Sequence, residues 1–337
     1  MKLRNKETFL DHISVKDPKT VEQYQIRIGV FEKYCLGKFG RIDILDELKD
    51  DWQDTLQAYI NWLTRDRSPG TVSNYFASIR KYLHYLDLRI TRDDVDENLH
   101  FPKKFEHELH PLQLEEIQTL FKHLRYEEKT MHLCQLSTGL KIGEIVQIRK
   151  RDFVLGKKRI LVKVPAKFAK FKRARTPVLS KEAGIMISGI LKRKDDDEAV
   201  FGTNKNAKYS AVNKDHILKN WLEKLGMDDR YEETGRLKIN THSFRAYFIT
   251  KFSRHDPNLA KKLAGEKRYL LQYDRLSDDE ILEQYLKVEP DLLIFEDTRR
   301  EAELQKERAD KKLLEEELQR ERDKNRRERC WTSLMIN

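Results

Sequence analysis

The chain has 337 residues and a mass of 40.3 kDa, enough for two domains of ordinary size, so a small disulfide-stapled module is excluded. Lys and Arg number 67 against 57 Asp and Glu, a formal net charge of +10, which favours a polyanionic partner. Cys35, Cys134 and Cys330 form no CxxC pair and no apolar run reaches membrane-spanning length, so zinc, redox and membrane classes drop out and a cytoplasmic protein is expected.

Residues 19–35 place Val21, Tyr24, Ile28, Phe31 and Tyr34 at three- and four-residue intervals, the mark of an amphipathic helix. Trp52, Leu56, Tyr59, Ile60 and Leu63 repeat the pattern. Ser68-Pro69-Gly70 reads as a turn, with Thr71 capping a third helix through Leu86. The aromatic stripes keep helical period and are therefore core, not a base-stacking platform. Residues 88–108 lose the periodicity and are crowded with charge, which reads as a linker with a domain boundary near 105.

After the boundary a helix is expected over 111–124, then helix, Ser-Thr-Gly turn and helix over 132–147. Residues 159–164 and 176–179 have strand character, with 165–175 a long basic hairpin tip between them. Residues 1–107 and 296–329 are each close to neutral, with about 18 and about 12 charges of either sign, so the surplus lies between them. Within 145–180 stand Arg149, Lys150, Arg151, Lys157, Lys158, Arg159, Lys163, Lys167, Lys170, Lys172, Arg173 and Arg175, against Asp152 alone. Such density reads either as a solvated hairpin or as contact with a nucleic-acid backbone, through Lys167, Lys172, Arg173, Arg175, Arg149 and Arg151. Beyond Phe295 the sequence lacks Gly and Pro and has few apolar residues. Pairs such as Glu307 with Lys311 support a solvated helix.

Three strings could carry chemistry: Ser137-Thr138-Gly139-Leu140-Lys141-Ile142-Gly143-Glu144, then Thr241-His242-Ser243-Phe244-Arg245, then Leu263-Ala264-Gly265-Glu266-Lys267 followed by Tyr273. His242 and Arg245 are three apart on an expected helix, hence on one face, and with a hairpin lysine they could surround one phosphate. The order and spacing of these strings resemble the tyrosine recombinases, the phage integrase family, and particularly the integrases of archaeal plasmids and proviruses.

The resemblance covers about 280 residues and implies a mainly α fold with a small antiparallel β-sheet. It places a helical, SAM-like core-binding domain at 1–105, an α+β catalytic domain at 106–295 and a charged helical tail at 296–337. Family members read TGLR-I-x-E, a hairpin Lys, HxLR or HxFR, GH or GW, then the nucleophilic Tyr. On that pattern His242 and Arg245 match HxxR, Lys170 is the hairpin lysine with Lys172 as fallback, Glu144 braces the first arginine, and Tyr273 is the nucleophile ahead of Tyr285 and Tyr269. The first arginine is replaced by Lys141 and the usual His or Trp by Glu266. Lys loses the planar fork that grips two phosphate oxygens, and a carboxylate beside a scissile phosphate repels it.

The implied activity is DNA strand cleavage and rejoining through a 3′-phosphotyrosyl link, with no metal or nucleotide cofactor. Double-stranded DNA is the implied partner and a homotetramer on DNA the implied assembly. Two alternatives stand beside it. One is a DNA-binding relative that has lost strand transfer and acts as an accessory or repressor. The other is a topoisomerase-like nicking enzyme, against which no Tyr follows Tyr285.

Overall fold

Strong caps and buried helical faces divide the chain into two compact units, residues 1–108 and 109–337. The structure is a computed structural model that describes residues 4–103, 108–156, 158–169, 172–203, 206–266 and 276–334. No described helix is long and apolar enough to cross a membrane.

The first unit is helical throughout: α1 (Lys6–His12), α2 (Pro18–Phe39), α3 (Leu45–Asp50), α4 (Trp52–Leu63), α5 (Pro69–Tyr85) and α6 (Arg92–Asn98). Ile28, Phe31, Tyr34, Leu56, Tyr59, Ile60, Leu63, Val72, Phe76 and Ile79 form its core, and the Phe31 and Tyr59 rings meet edge to face at 4.9 Å. The aromatic stripes are thus packing residues. Two details differ from the sequence reading. The Ser68-Pro69-Gly70 turn is the first turn of α5, because Pro69 occupies its opening position, where a missing N–H costs nothing. The expected linker folds back on the unit: Thr91 and Asp94 cap α6 reciprocally, and Ile90, Val95 and Leu99 join the core. Three apolar residues were too few to betray that helix by period.

In the second unit α7 (Leu114–His123) precedes α8 (Tyr126–Thr138), which is buried along almost its whole length and packs on α10 (Lys181–Leu191), α12 (Thr241–Ser253) and α14 (Asp278–Leu292). The one-turn α9 (Ile142–Ile145) follows α8 directly, α11 (Ala207–Lys224) lies against α9 and α7, and α13 (Pro257–Ala264) against α12. The sheet among the described residues has two antiparallel strands, β1 (Phe153–Leu155) and β2 (Ile160–Val162). The sequence reading missed β1, a strand of three residues. It also assigned 176–179 to a strand, whereas these residues make only the isolated bridge Leu161 to Val178. The basic tip is nonetheless closed as expected, by a bridge between Val164 and Arg175.

The tail is α15 (Glu296–Leu334), anchored at its first turn. There the buried Glu182 carboxylate accepts the backbone N–H groups of Ile294 and Phe295, the latter at 2.8 Å, and the Thr298 hydroxyl. An anion at a helix start satisfies orphan donors and complements the helix dipole. Glu182→Ala leaves those donors unpaired and is expected to cost about 3 kcal/mol. Urea unfolding measures the loss, and limited proteolysis is expected to cut near residue 295.

Candidate active site

Arg245 is the residue around which the site is built. It lies on the second turn of α12, which is capped by Asn240, whose side chain accepts from His242 N. The side chain runs inward and is 1% exposed, so its charge needs partners. It finds them at two helix ends: Nη1 donates to Gly139 O, just past α8, and to Ala264 O, the last residue of α13, at 2.5 Å. Terminal helix carbonyls lack intrahelical donors and carry the negative end of the dipole, which suits a buried cation. Both ends close on a glycine in the left-handed region, Gly139 at φ +64 and Gly265 at φ +72. A Cβ at Gly139 would lie 2.5 Å from the Phe248 ring.

A second guanidinium is buried alongside. The Arg175 side chain, 5% exposed, donates through Nη2 to Glu144 Oε2 at 2.7 Å and through Nε to Leu263 O at 2.8 Å. Glu144 Oε2 also accepts the backbone N–H of Lys141, fixing the start of α9. Glu144 Oε1, Arg175 Nη1 and Arg245 Nε are buried with no hydrogen-bond partner among the described residues.

At the rim stand His242, Lys141 and Glu266. Glu266 Oε1 accepts from Arg245 Nη2 at 3.4 Å, so the outward edge of Arg245 already faces a carboxylate. Burial lowers the proton affinity of His242, and the positive charges of Arg245 and Lys141 lower it further against a smaller pull from Glu266. His242 is therefore a neutral imidazole near pH 7. Desolvation also lowers Arg245 from the usual guanidinium value, with Glu144 and Glu266 opposing it; an arginine starts high enough to stay charged. The cluster is a shallow polar rim over two buried cations, suited to an anionic group of phosphate size.

Residues 109–265, which contain Arg245, His242, Lys141, Arg175 and Glu144 and end next to Glu266, match the phage integrase family. That segment carries the family's pattern. Three solved structures share its fold. Lambda integrase, as a dimer on a COC′ core site, is 14% identical with a TM-score of 0.57, covering 81% of this chain and 97% of its own. Lambda integrase as a tetramer on a Holliday junction is 12% identical with a TM-score of 0.56, covering 81% and 79%. The XerH site-specific recombinase bound to difH substrate is 16% identical with a TM-score of 0.51, covering 82% of each chain. No curated protein sequence matches.

In and beside this phage integrase-like segment the structure brings together Arg245, His242, Lys141 and Glu266, the four described residues that the sequence assigned to catalysis. Tyr273, Tyr269 and Lys170 lie outside the described residues. Tyr285 is fully buried, donates to Ser137 O at 2.9 Å and packs on Phe252, and burial holds its phenol well above the ordinary value. It caps the end of α8 and is a core residue.

The residues assigned to the DNA backbone separate into two groups. Lys167, Lys172 and Arg173 are exposed on the hairpin, Lys167 lying over the Phe168 ring at 5.1 Å. Arg149 and Arg151 both pair with Asp197, at 3.2 and 2.5 Å, and Lys150 pairs with Asp196. Arg175 faces inward, contrary to its assignment as a surface contact. Counting charge along 145–180 missed these carboxylates because they come from residues far off in sequence.

The sequence reading also missed His132 and Gln135. His132 Nδ1 donates to Gln135 Oε1 at 2.9 Å, Gln135 Nε2 donates to Leu140 O, and the imidazole stacks on Phe244 at 4.3 Å. The pair thus props the turn that carries Lys141 and the helix that carries Arg245. Burial pushes the His132 imidazole down to about 4 from 6.5. The folded state therefore binds fewer protons than the unfolded chain between those values. Its contribution to stability is complete above pH 6.5 and is lost as the pH falls toward 4, by about 3 kcal/mol. Urea unfolding from pH 7 to pH 4 is expected to show wild type losing that much more than His132→Gln.

Proposed function

We propose that this chain, as a site-specific tyrosine recombinase, cleaves and rejoins DNA with Tyr273 as the nucleophile. The Tyr273 oxygen attacks a backbone phosphorus, the bond from phosphorus to the 5′-oxygen breaks, and a 3′-phosphotyrosyl link retains the bond energy. Neutral His242 accepts the phenol proton, and Lys170 delivers a proton to the leaving 5′-oxygen. Arg245 and Lys141 stabilise the pentacoordinate phosphorane by charge placed in advance of the reaction. The 5′-hydroxyl of a partner strand then reverses the step. As in the lambda integrase assembly on a Holliday junction, four protomers act together on two duplexes, in the cytoplasm where the DNA lies.

The observation that carries this reading is the gathering of His242, Lys141 and Glu266 at the outward edge of a buried Arg245, all but Glu266 inside the segment that matches the family. The carboxylate on Arg245 and the lysine at 141 favour one second reading, a DNA-binding relative that no longer transfers strands. A pool of nicked duplexes with randomised sequence, resolved on denaturing gels, separates the two. A covalent adduct is expected from wild type and none from Tyr273→Phe. Retarded mobility in native gels with no adduct from wild type would leave only the binding protein.

A further inference from the structure

Arg175 is two residues from the exposed Arg173, yet its side chain is buried. Its backbone exchanges hydrogen bonds with Val164, at 2.9 and 3.3 Å, and so closes the basic hairpin. Its guanidinium reaches Glu144 on α9 and Leu263 O on α13, next to the Ala264 carbonyl that holds Arg245. Gly265 makes room for it: an added Cβ there would lie 2.5 Å from Arg175 Cζ. The charge of Arg175 is close enough to be felt by Arg245.

We propose that Arg175 is a positioning residue for strand cleavage. It takes the Glu144 carboxylate that would otherwise brace an arginine at position 141, and it locks the hairpin, α9 and the end of α13 around Arg245. The proposal rests on the recombinase reading above. It accounts for a lysine at position 141: the brace already holds a guanidinium supplied from the hairpin, 31 residues downstream of Glu144. A lysine at 175 keeps the charge but not the planar fork that meets Glu144 and Leu263 O in fixed directions.

The test measures single-turnover cleavage of a nicked duplex recovered from the pool and, separately, affinity for the same DNA. Full-length wild type is compared with Arg175→Lys and with the double variant Arg175→Met/Glu144→Gln. The double variant keeps an acceptor for the Lys141 N–H and leaves no buried unpaired charge. Positioning predicts cleavage slowed about 100-fold in both, with DNA affinity and its salt dependence unchanged. Cleavage at the wild-type rate in the double variant would reduce Arg175 to a structural ion pair. Weaker binding with a flatter salt dependence would make it a phosphate contact. Either result overturns the proposal while wild type still forms its adduct; absence of an adduct from wild type would overturn the recombinase reading itself.

Discussion

A cation buried away from water is the constraint on which the second unit depends. Arg245 keeps its charge in the interior because two helices end against it, each offering carbonyls that no intrahelical N–H can satisfy. Neutral carbonyls hold the guanidinium in place without cancelling its charge, as a bidentate carboxylate would. Only its outward edge meets a carboxylate, Glu266 at 3.4 Å. The result is a fixed positive charge whose one outward edge is held by Glu266, so that a phosphate would reach it only by displacing that carboxylate.

The surroundings follow from that arrangement. Gly139 and Gly265 permit the two helix ends to turn away sharply where the guanidinium sits. Tyr285 takes the Ser137 carbonyl and Gln135 the Leu140 carbonyl, so the end of α8 has side-chain donors on both sides of the Arg245 contact. Glu144 balances Arg175 in the same buried space. Removing either partner of that pair would leave an uncompensated interior charge.

Much of the fold was legible because helix period and caps are local. α2, α4 and α5 follow from their apolar spacing, and the family likeness follows from the order of the Gly139, Glu144, His242, Arg245 and Gly265 strings. The i, i+3 spacing of His242 and Arg245 placed them on one helix correctly. What sequence could not supply was direction and partner. Arg173 and Arg175 look alike in a basic run, yet one faces solvent and the other faces Glu144 and Leu263 O, a distinction set by contacts across the fold. Arg149 and Arg151 looked free because their partner, Asp197, arrives from beyond α10. The helix at 92–98 escaped notice because its stability comes from a capping box and from packing on residues earlier in the chain.

The most direct test of the central claim is an experimental structure of the chain on a nicked duplex that it cleaves. The account predicts the Arg245 outward nitrogen at about 3 Å from an oxygen of the scissile phosphate, with Glu266 displaced from it. A complex in which cleavage-competent DNA contacts the hairpin cations while Arg245 stays on Glu266, remote from every phosphate, would contradict it.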